Sequence, residues 1–143
     1  MPVKAWVYHD DNGNDGLTQV QIERSIKTMN ENFSGITNAT GNTHAHIMVQ
    51  FYLNCDITYV NSSQYTLDPS DNEVKDMFED NHTSGMMNIH YIQESDDFGG
   101  KANRPHENPP FSFTVVGNAR QTSTMAHEAG HAFSLSHTHQ GRC

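Results

Sequence analysis

Three histidines and a glutamate near the C-terminal end of this 143-residue chain have types and spacing that suit metal chemistry. His127 and His131 are four residues apart, so on a helix both imidazoles leave the same face about one turn apart. Two neutral ring nitrogens placed in this way can reach one zinc ion at roughly 2.0–2.1 Å. Glu128 lies beside the first histidine, where its carboxylate can approach a metal-activated water without binding the metal. The spacing predicts a zinc site with Glu128 as its general base.

A third histidine, His137, follows six residues after His131 and cannot reach the same ion from a straight helix. We therefore expect the helix to end between these two residues and the chain to turn back. Three protein ligands with an open fourth position are typical of catalytic zinc rather than of closed structural zinc. The alternative is a surface helix that merely carries histidines, and a third histidine at this offset argues against it.

The stretch from His127 to His137, HEAGHAFSLSH, resembles the motif H-E-x-x-H-x-x-G-x-x-H of the metzincin metallopeptidases. Residues 137–143, HTHQGRC, are similar to the segment that follows the third histidine in the pappalysin (cytophagalysin-like) branch. The resemblance implies a secreted, zinc-dependent endopeptidase that acts on a peptide or protein substrate. In such an enzyme a metal-activated water attacks the peptide bond, with Zn²⁺ on His127, His131 and His137 and with Glu128 as the base.

Ser134 stands where the metzincin motif has a glycine. We interpret the role of that glycine as a left-handed turn that returns the chain to His137. A non-glycine residue in this conformation costs on the order of 1 kcal/mol, which metal binding could offset.

The sequence ends six residues after His137, whereas metzincins continue into a Met-turn and a lower cleft wall. We interpret residues 1–143 as a single metzincin-like catalytic subdomain that lacks the C-terminal subdomain. Such a chain should bind zinc but cleave peptides poorly, unless a second copy or a further C-terminal segment completes the cleft. The alternative function is a secreted structural or binding module that keeps this half-fold without turnover.

The composition is acidic and polar, with a net charge of −9, a pI of about 5.4 and a mean hydropathy of −0.72. Nucleic acids and anionic membranes require a basic face, so we expect neither as a partner. The length fits one domain, and no apolar run approaches the roughly 20 residues of a membrane span.

The two cysteines, Cys55 and Cys143, permit one disulfide bridge. The alternative is that Cys143 pairs with a cysteine beyond the end of this chain. N-x-S/T sequons support an extracellular glycoprotein only mildly, since chance alone would give roughly two of them in so polar a sequence. The sequons lie at Asn32, Asn38, Asn61 and Asn81.

Hydrophobic periodicity and capping signals predict the remaining elements. We predict strands over residues 3–9, 46–53, 87–92 and 113–117. Capping boxes at Thr18–Gln21 and Ser70–Glu73 each open a helix, and Thr122 or Ser123 caps the histidine-bearing helix. The residues expected to face the core are Val3, Ala5, Val7, Ile22, Ile26, Met29, Phe33, Ile47, Val49, Phe51, Leu53, Val74, Met77 and Phe78. The fold class is α/β (α+β), a metzincin-like zincin N-terminal subdomain whose twisted mixed sheet carries a backing helix and an active-site helix.

Residues 98–105 resemble the edge strand on the upper rim of metzincin clefts, where a substrate main chain adds antiparallel. The alternative for this segment is an ordinary loop. The candidates for substrate binding are Gly99, Gly100, Lys101, Ala102, Asn103 and Arg104.

Two further polar segments have less specific patterns. Residues 10–16 superficially resemble a calcium loop, but Gly13 and Ile22 occupy positions that need ligands, so we predict a turn. His44 and His46 would share one face of an extended chain and could form a second metal site. Exposed histidines explain them better, because no partner of known spacing accompanies them.

Overall fold

The structure is a computed structural model that describes residues 1–35, 48–61, 71–93, 99–117 and 122–137. Within these ranges the elements follow the predicted order, with the edge segment forming a short strand. None of the described helices combines the length and apolar character needed to cross a membrane. The elements are β1 (Pro2–His9), α1 (Gln19–Phe33), β2 (Tyr52–Asn61), α2 (Asp71–Asp80), β3 (Met87–Ile92), β4 (Gly100–Ala102), β5 (Ser112–Val116) and α3 (Thr124–Ala132).

The five strands form one twisted mixed sheet in the order β2-β1-β3-β5-β4. The pairs β2–β1, β1–β3 and β3–β5 are parallel, and β4 runs antiparallel to β5 at the edge. A largely parallel sheet must be covered on both faces. Here α1 and α3 pack on one face and α2 packs on the other, so α3 is fixed against the sheet close to β4.

Strand β1 shows why the sequence selects this layering. Successive side chains of a strand point to opposite faces. Val3, Ala5 and Val7 are fully buried against the α1–α3 layer, as predicted. Trp6 and Tyr8 face the α2 layer.

Helix α1 begins at the predicted capping box. The Thr18 hydroxyl accepts from the Gln21 N–H, and the Gln21 side chain accepts from the Thr18 N–H at 2.9 Å. The capping box predicted for α2 involves Ser70, which lies outside the described residues. The predicted core residues of both helices are buried, namely Ile22, Ile26, Met29, Phe33, Val74, Met77 and Phe78.

The strand predicted over residues 46–53 is wrong in its bounds, because β2 runs from Tyr52 to Asn61. Phe51 is buried as predicted, but its backbone is held by α1 instead of a neighbouring strand. The Asn30 side chain donates to the Phe51 carbonyl and accepts from the Phe51 N–H, both at 2.8 Å. This amide satisfies the polar groups of Phe51, so the ladder with β1 starts one residue later.

Residues 10–16 form a turn, as predicted. Asp10 accepts from the N–H groups of Asn12 and Asn14 at 2.9 and 2.8 Å. The hydrogen bonds from Asn14 are the largest cause of the lowered pKa of the Asp10 carboxyl. His44, His46 and Cys143 lie outside the described residues, as does the side chain of Cys55, so the second metal site and the disulfide remain predictions.

Candidate metal centre

Helix α3 presents His127, Glu128 and His131 because its opposite face is anchored in the core. On the side of α3 that faces the sheet, three residues at helical spacing are fully buried, namely Met125, Ala129 and Ala132. Of the two capping residues predicted for this helix, Thr122 makes the bond: its hydroxyl accepts from the Thr124 N–H at 3.2 Å. Ser123 occupies the N-cap position without a side-chain bond.

The helix ends where the sequence requires it to end, in a Schellman motif. Ser134 has a φ of 75°, the left-handed conformation predicted for the residue that replaces the motif glycine. Its N–H donates to the His131 carbonyl at 2.8 Å, and the Leu135 N–H donates to the Gly130 carbonyl at 3.0 Å. These two bonds reverse the chain and bring His137 back to the helix.

The three histidines converge on one point. The Nε2 atoms of His127 and His131 are 3.0 Å apart, and each is 2.9 Å from the Nε2 of His137. Tetrahedral ligands about 2.0–2.1 Å from zinc lie roughly 3.3 Å from one another, so this triangle is only a few tenths of an ångström tighter. Among the described residues, these three histidines form a group whose ring nitrogens lie close enough together to hold one metal ion.

The hydrogen bonding of the rings fits metal binding as well. His131 Nδ1 lies 2.6 Å from the Leu135 carbonyl oxygen, which can only accept. The proton of the neutral ring is therefore on Nδ1, and Nε2 carries the lone pair that a metal needs. The pKa of His127 is lowered by burial and by the neighbouring imidazoles of His131 and His137, which favours the neutral, ligating form.

Glu128 is a buried carboxyl residue, with only 6% of its surface exposed. Burial raises the pKa of its carboxyl from 4.5 to about 7, although the nearby His131 opposes that shift. A carboxyl group that titrates near neutrality is suited to exchange protons at neutral pH. The site thus combines three imidazole nitrogens that could bind one metal ion with one carboxyl group whose pKa lies near neutrality.

The three histidines and Glu128 line one open cavity of about 340 Å³, together with the edge strand β4. Of the predicted substrate-binding residues, Gly100, Lys101, Ala102 and Arg104 line this cavity. Asn103 lines an adjacent cavity of about 510 Å³, and its side chain donates to the Pro109 carbonyl. Gly99 immediately precedes β4.

The register of β4 determines which of its backbone groups are available. Lys101 pairs with Thr114, Ala102 pairs with Phe113, and the N–H of Asn103 donates to the Ser112 carbonyl at 2.8 Å. Antiparallel pairs alternate between bonded and non-bonded positions. The N–H and C=O groups of Gly100 and Ala102 therefore point away from β5, towards an edge that no other described strand covers.

Two contacts of this site escaped the sequence analysis. One is the Leu135 carbonyl that orients His131, and the other is the close approach of Gly100 to Glu128. A backbone acceptor has no residue type that could mark it. The glycine was a visible signal, since a glycine within a predicted strand marks a close backbone approach.

Comparison with known proteins identifies the fold. Neither a family model nor a curated protein sequence matches this chain. The solved structure of mature mirolysin from Tannerella forsythia, in complex with a cleaved peptide, aligns with a TM-score of 0.73 and 23% sequence identity. The alignment covers 96% of this chain and 63% of the mirolysin chain, so this chain spans less than two thirds of its neighbour's length. The twisted mixed sheet and the three described helices form a metzincin-like fold.

Proposed function

We propose that this chain is a zinc-dependent endopeptidase of the pappalysin-like branch, with His127, His131 and His137 as metal ligands and Glu128 as the general base. The observation that carries the proposal is the convergence of three imidazole Nε2 atoms beside a buried carboxylate in one cavity. The likeness to mirolysin, whose structure contains a cleaved peptide, supports a peptide as the substrate.

The histidines would hold the ion through Nε2, and the Leu135 carbonyl keeps His131 in the required tautomer. Zinc bound by three neutral imidazoles supplies Lewis-acid activation of a water molecule and of a substrate carbonyl. Glu128 takes the proton of the attacking water on its carboxylate and passes it to the nitrogen of the leaving amine. Its burial keeps bulk water from competing for that proton.

The substrate main chain extends the sheet by pairing with β4. The outward N–H and C=O groups of Gly100 and Ala102 offer bonds to an extended peptide. Because β4 and α3 line the same cavity, a peptide on this edge passes directly over the histidines and Glu128. The extracellular location implied by the family resemblance, and glycosylation, belong to this proposal, and the sequons support them only mildly.

The proposal is tested by comparing metal content with peptide hydrolysis in three variants. We expect about one zinc per chain in the wild type and in Glu128→Gln, and loss of zinc in His131→Ala. Glu128→Gln should lower hydrolysis of an unstructured protein substrate by roughly 10²–10⁴-fold, because the amide cannot accept the proton. Glu31→Gln, an exposed carboxyl on α1, is the matched control and should leave both measurements unchanged.

Full zinc occupancy in His131→Ala would overturn the metal site. Unchanged hydrolysis in zinc-loaded Glu128→Gln would remove Glu128 from the mechanism. A zinc-loaded wild type that binds peptide without cleaving it would overturn the endopeptidase and leave a peptide-binding module.

A further inference from the structure

The side chain of Glu128 rests directly on the backbone of β4 at Gly100. A Cβ atom at Gly100 would lie 2.7 Å from Glu128 Cγ, 3.1 Å from Glu128 Cδ and 3.0 Å from the carbonyl oxygen of Thr114. Ordinary van der Waals contact for a Cβ begins at 3.4 Å. Any side chain larger than hydrogen at this position would therefore collide with the proposed base.

We propose that Gly100 is a positioning residue for Glu128: because Gly100 has no side chain, the Cγ and Cδ atoms of Glu128 can pack against β4, beside the three histidines. This inference rests on the proposed role of Glu128 as the general base. It assigns Gly100 a second task in addition to pairing with substrate. The outward backbone of Gly100 faces the edge that no other described strand covers, while its α-carbon lies against the base, so one residue sets the distance between bound peptide and base.

The backbone conformation of Gly100 gives no other reason for a glycine. Gly100 lies in a regular strand opposite Val115, and its φ is in a range that any residue adopts. Gly85 is the opposite case, since its φ is +78° and nothing lies within 4 Å of an added Cβ. A glycine inside a strand costs stability relative to alanine, so its presence here points to the close approach of Glu128.

Of the groups around a Cβ added at Gly100, the Glu128 side chain is the one that would have to move. The helix below it is anchored by Met125, Ala129 and Ala132, which are fully buried. Thr114 belongs to the buried strand β5, so its carbonyl cannot retreat without breaking the sheet. A methyl group at Gly100 would thus displace Glu128 by about 0.7 Å to restore ordinary contact. Misplacing a catalytic group by about 1 Å can lower the rate by roughly 100-fold.

The kinetic test uses Gly100→Ala, with Gly85→Ala as the matched control. Alanine at Gly85 meets no atom within 4 Å but is strained, because the φ of Gly85 is +78°, so this variant reports the effect of lost stability alone. We expect Gly100→Ala to keep one zinc and to lower kcat by roughly 100-fold, with KM within about twofold because the outward backbone groups remain. Gly85→Ala should keep both the zinc and kcat. An unchanged kcat in Gly100→Ala, or a raised KM with kcat retained, would overturn the proposal.

A second test needs no hydrolysis. In a double-mutant cycle, Gly100→Ala should lower the urea midpoint of unfolding in the wild type but much less in Glu128→Ala, where both close carbon atoms are gone. An equal loss in both backgrounds would assign the collision to the Thr114 carbonyl and overturn the proposal. If Gly100→Ala alone does not fold, folding of the double variant supports the contact and its failure to fold refutes it. An inactive wild type with a positive cycle would overturn the endopeptidase while retaining the placement of Glu128 by Gly100.

Discussion

Acidification should destabilise this protein through His90, which lies in the middle of β3 and has no exposed surface. The ring is enclosed by Trp6, Tyr8 and Phe78, with centroids 6.2, 6.1 and 4.7 Å away. Its Nδ1 meets the Tyr8 hydroxyl at 3.1 Å, and its Nε2 has no hydrogen-bond partner within the described ranges. Burial, with a smaller contribution from the charge of His82, lowers the pKa of His90 from 6.5 to about 3.

The direction of the effect follows from which state binds the proton. Below pH 6.5 the unfolded chain takes up a proton on His90, whereas the folded protein does so only near pH 3. Stability is therefore lost as the pH falls from about 6.5, and the loss stops below the folded pKa, where both states are protonated. Between pH 6 and pH 4 this single group should lower the free energy of unfolding by about 2–3 kcal/mol.

The measurement is urea unfolding of the zinc-free protein at several pH values, in the wild type and in His90→Gln. Glutamine does not titrate, so the variant keeps every other pH-dependent group and loses only the contribution of His90. The difference between the two free energies of unfolding should change by about 2–3 kcal/mol from pH 6 to pH 4, in favour of the variant at acid pH. Parallel curves would show that the folded protein accepts the proton on His90, and would refute this account of the buried ring.

Two further predictions concern β4 and the end of α3. Ala102→Pro removes an outward N–H but leaves the hydrogen bonds between β4 and β5 intact, so it should raise KM several-fold. Zinc content and the urea midpoint of unfolding should stay the same. Unchanged kinetics would show that the substrate binds elsewhere. Ser134→Gly removes the strain of a non-glycine residue in the left-handed conformation, so it should raise the free energy of unfolding by up to about 1 kcal/mol. The measurement is urea unfolding, and a loss of stability would contradict the strain at this position.

Local sequence signals were sufficient for the parts of the site that lie close together in the chain. The spacing of His127 and His131 predicted a helix, and a third histidine in the same site required that helix to end and the chain to reverse. The left-handed conformation of Ser134 confirms this requirement, because a Schellman motif returns the chain within three residues. Residues that the helical and strand periods place inward, such as Ile22 and Val7, are buried as predicted.

The failures came from contacts between distant segments. The alternation from Ile47 to Leu53 suggested a strand, but a side chain 21 positions away, Asn30, takes both backbone groups of Phe51. The true strand continues through Ile57 to Val60, a run of β-branched and aromatic residues that the loop-like polar residues before it obscured. Hydrophobic periodicity shows which side chains of a segment are buried, but it does not show which partner forms hydrogen bonds with the backbone of that segment.

The same distinction separates the two halves of the proposed chemistry. All three proposed metal ligands and the carbonyl that orients His131 lie within residues 127–137, so one helix and its terminating turn build the proposed metal site. The placement of Glu128 instead depends on Gly100, from a strand 28 positions earlier in the chain. Substitutions in β4 should therefore impair turnover while leaving the metal bound, whereas disruption of the turn at Ser134 should release the metal by withdrawing His137 and the Leu135 carbonyl together. We therefore expect metal content and turnover to be controlled separately, so each must be measured to interpret any variant of the site.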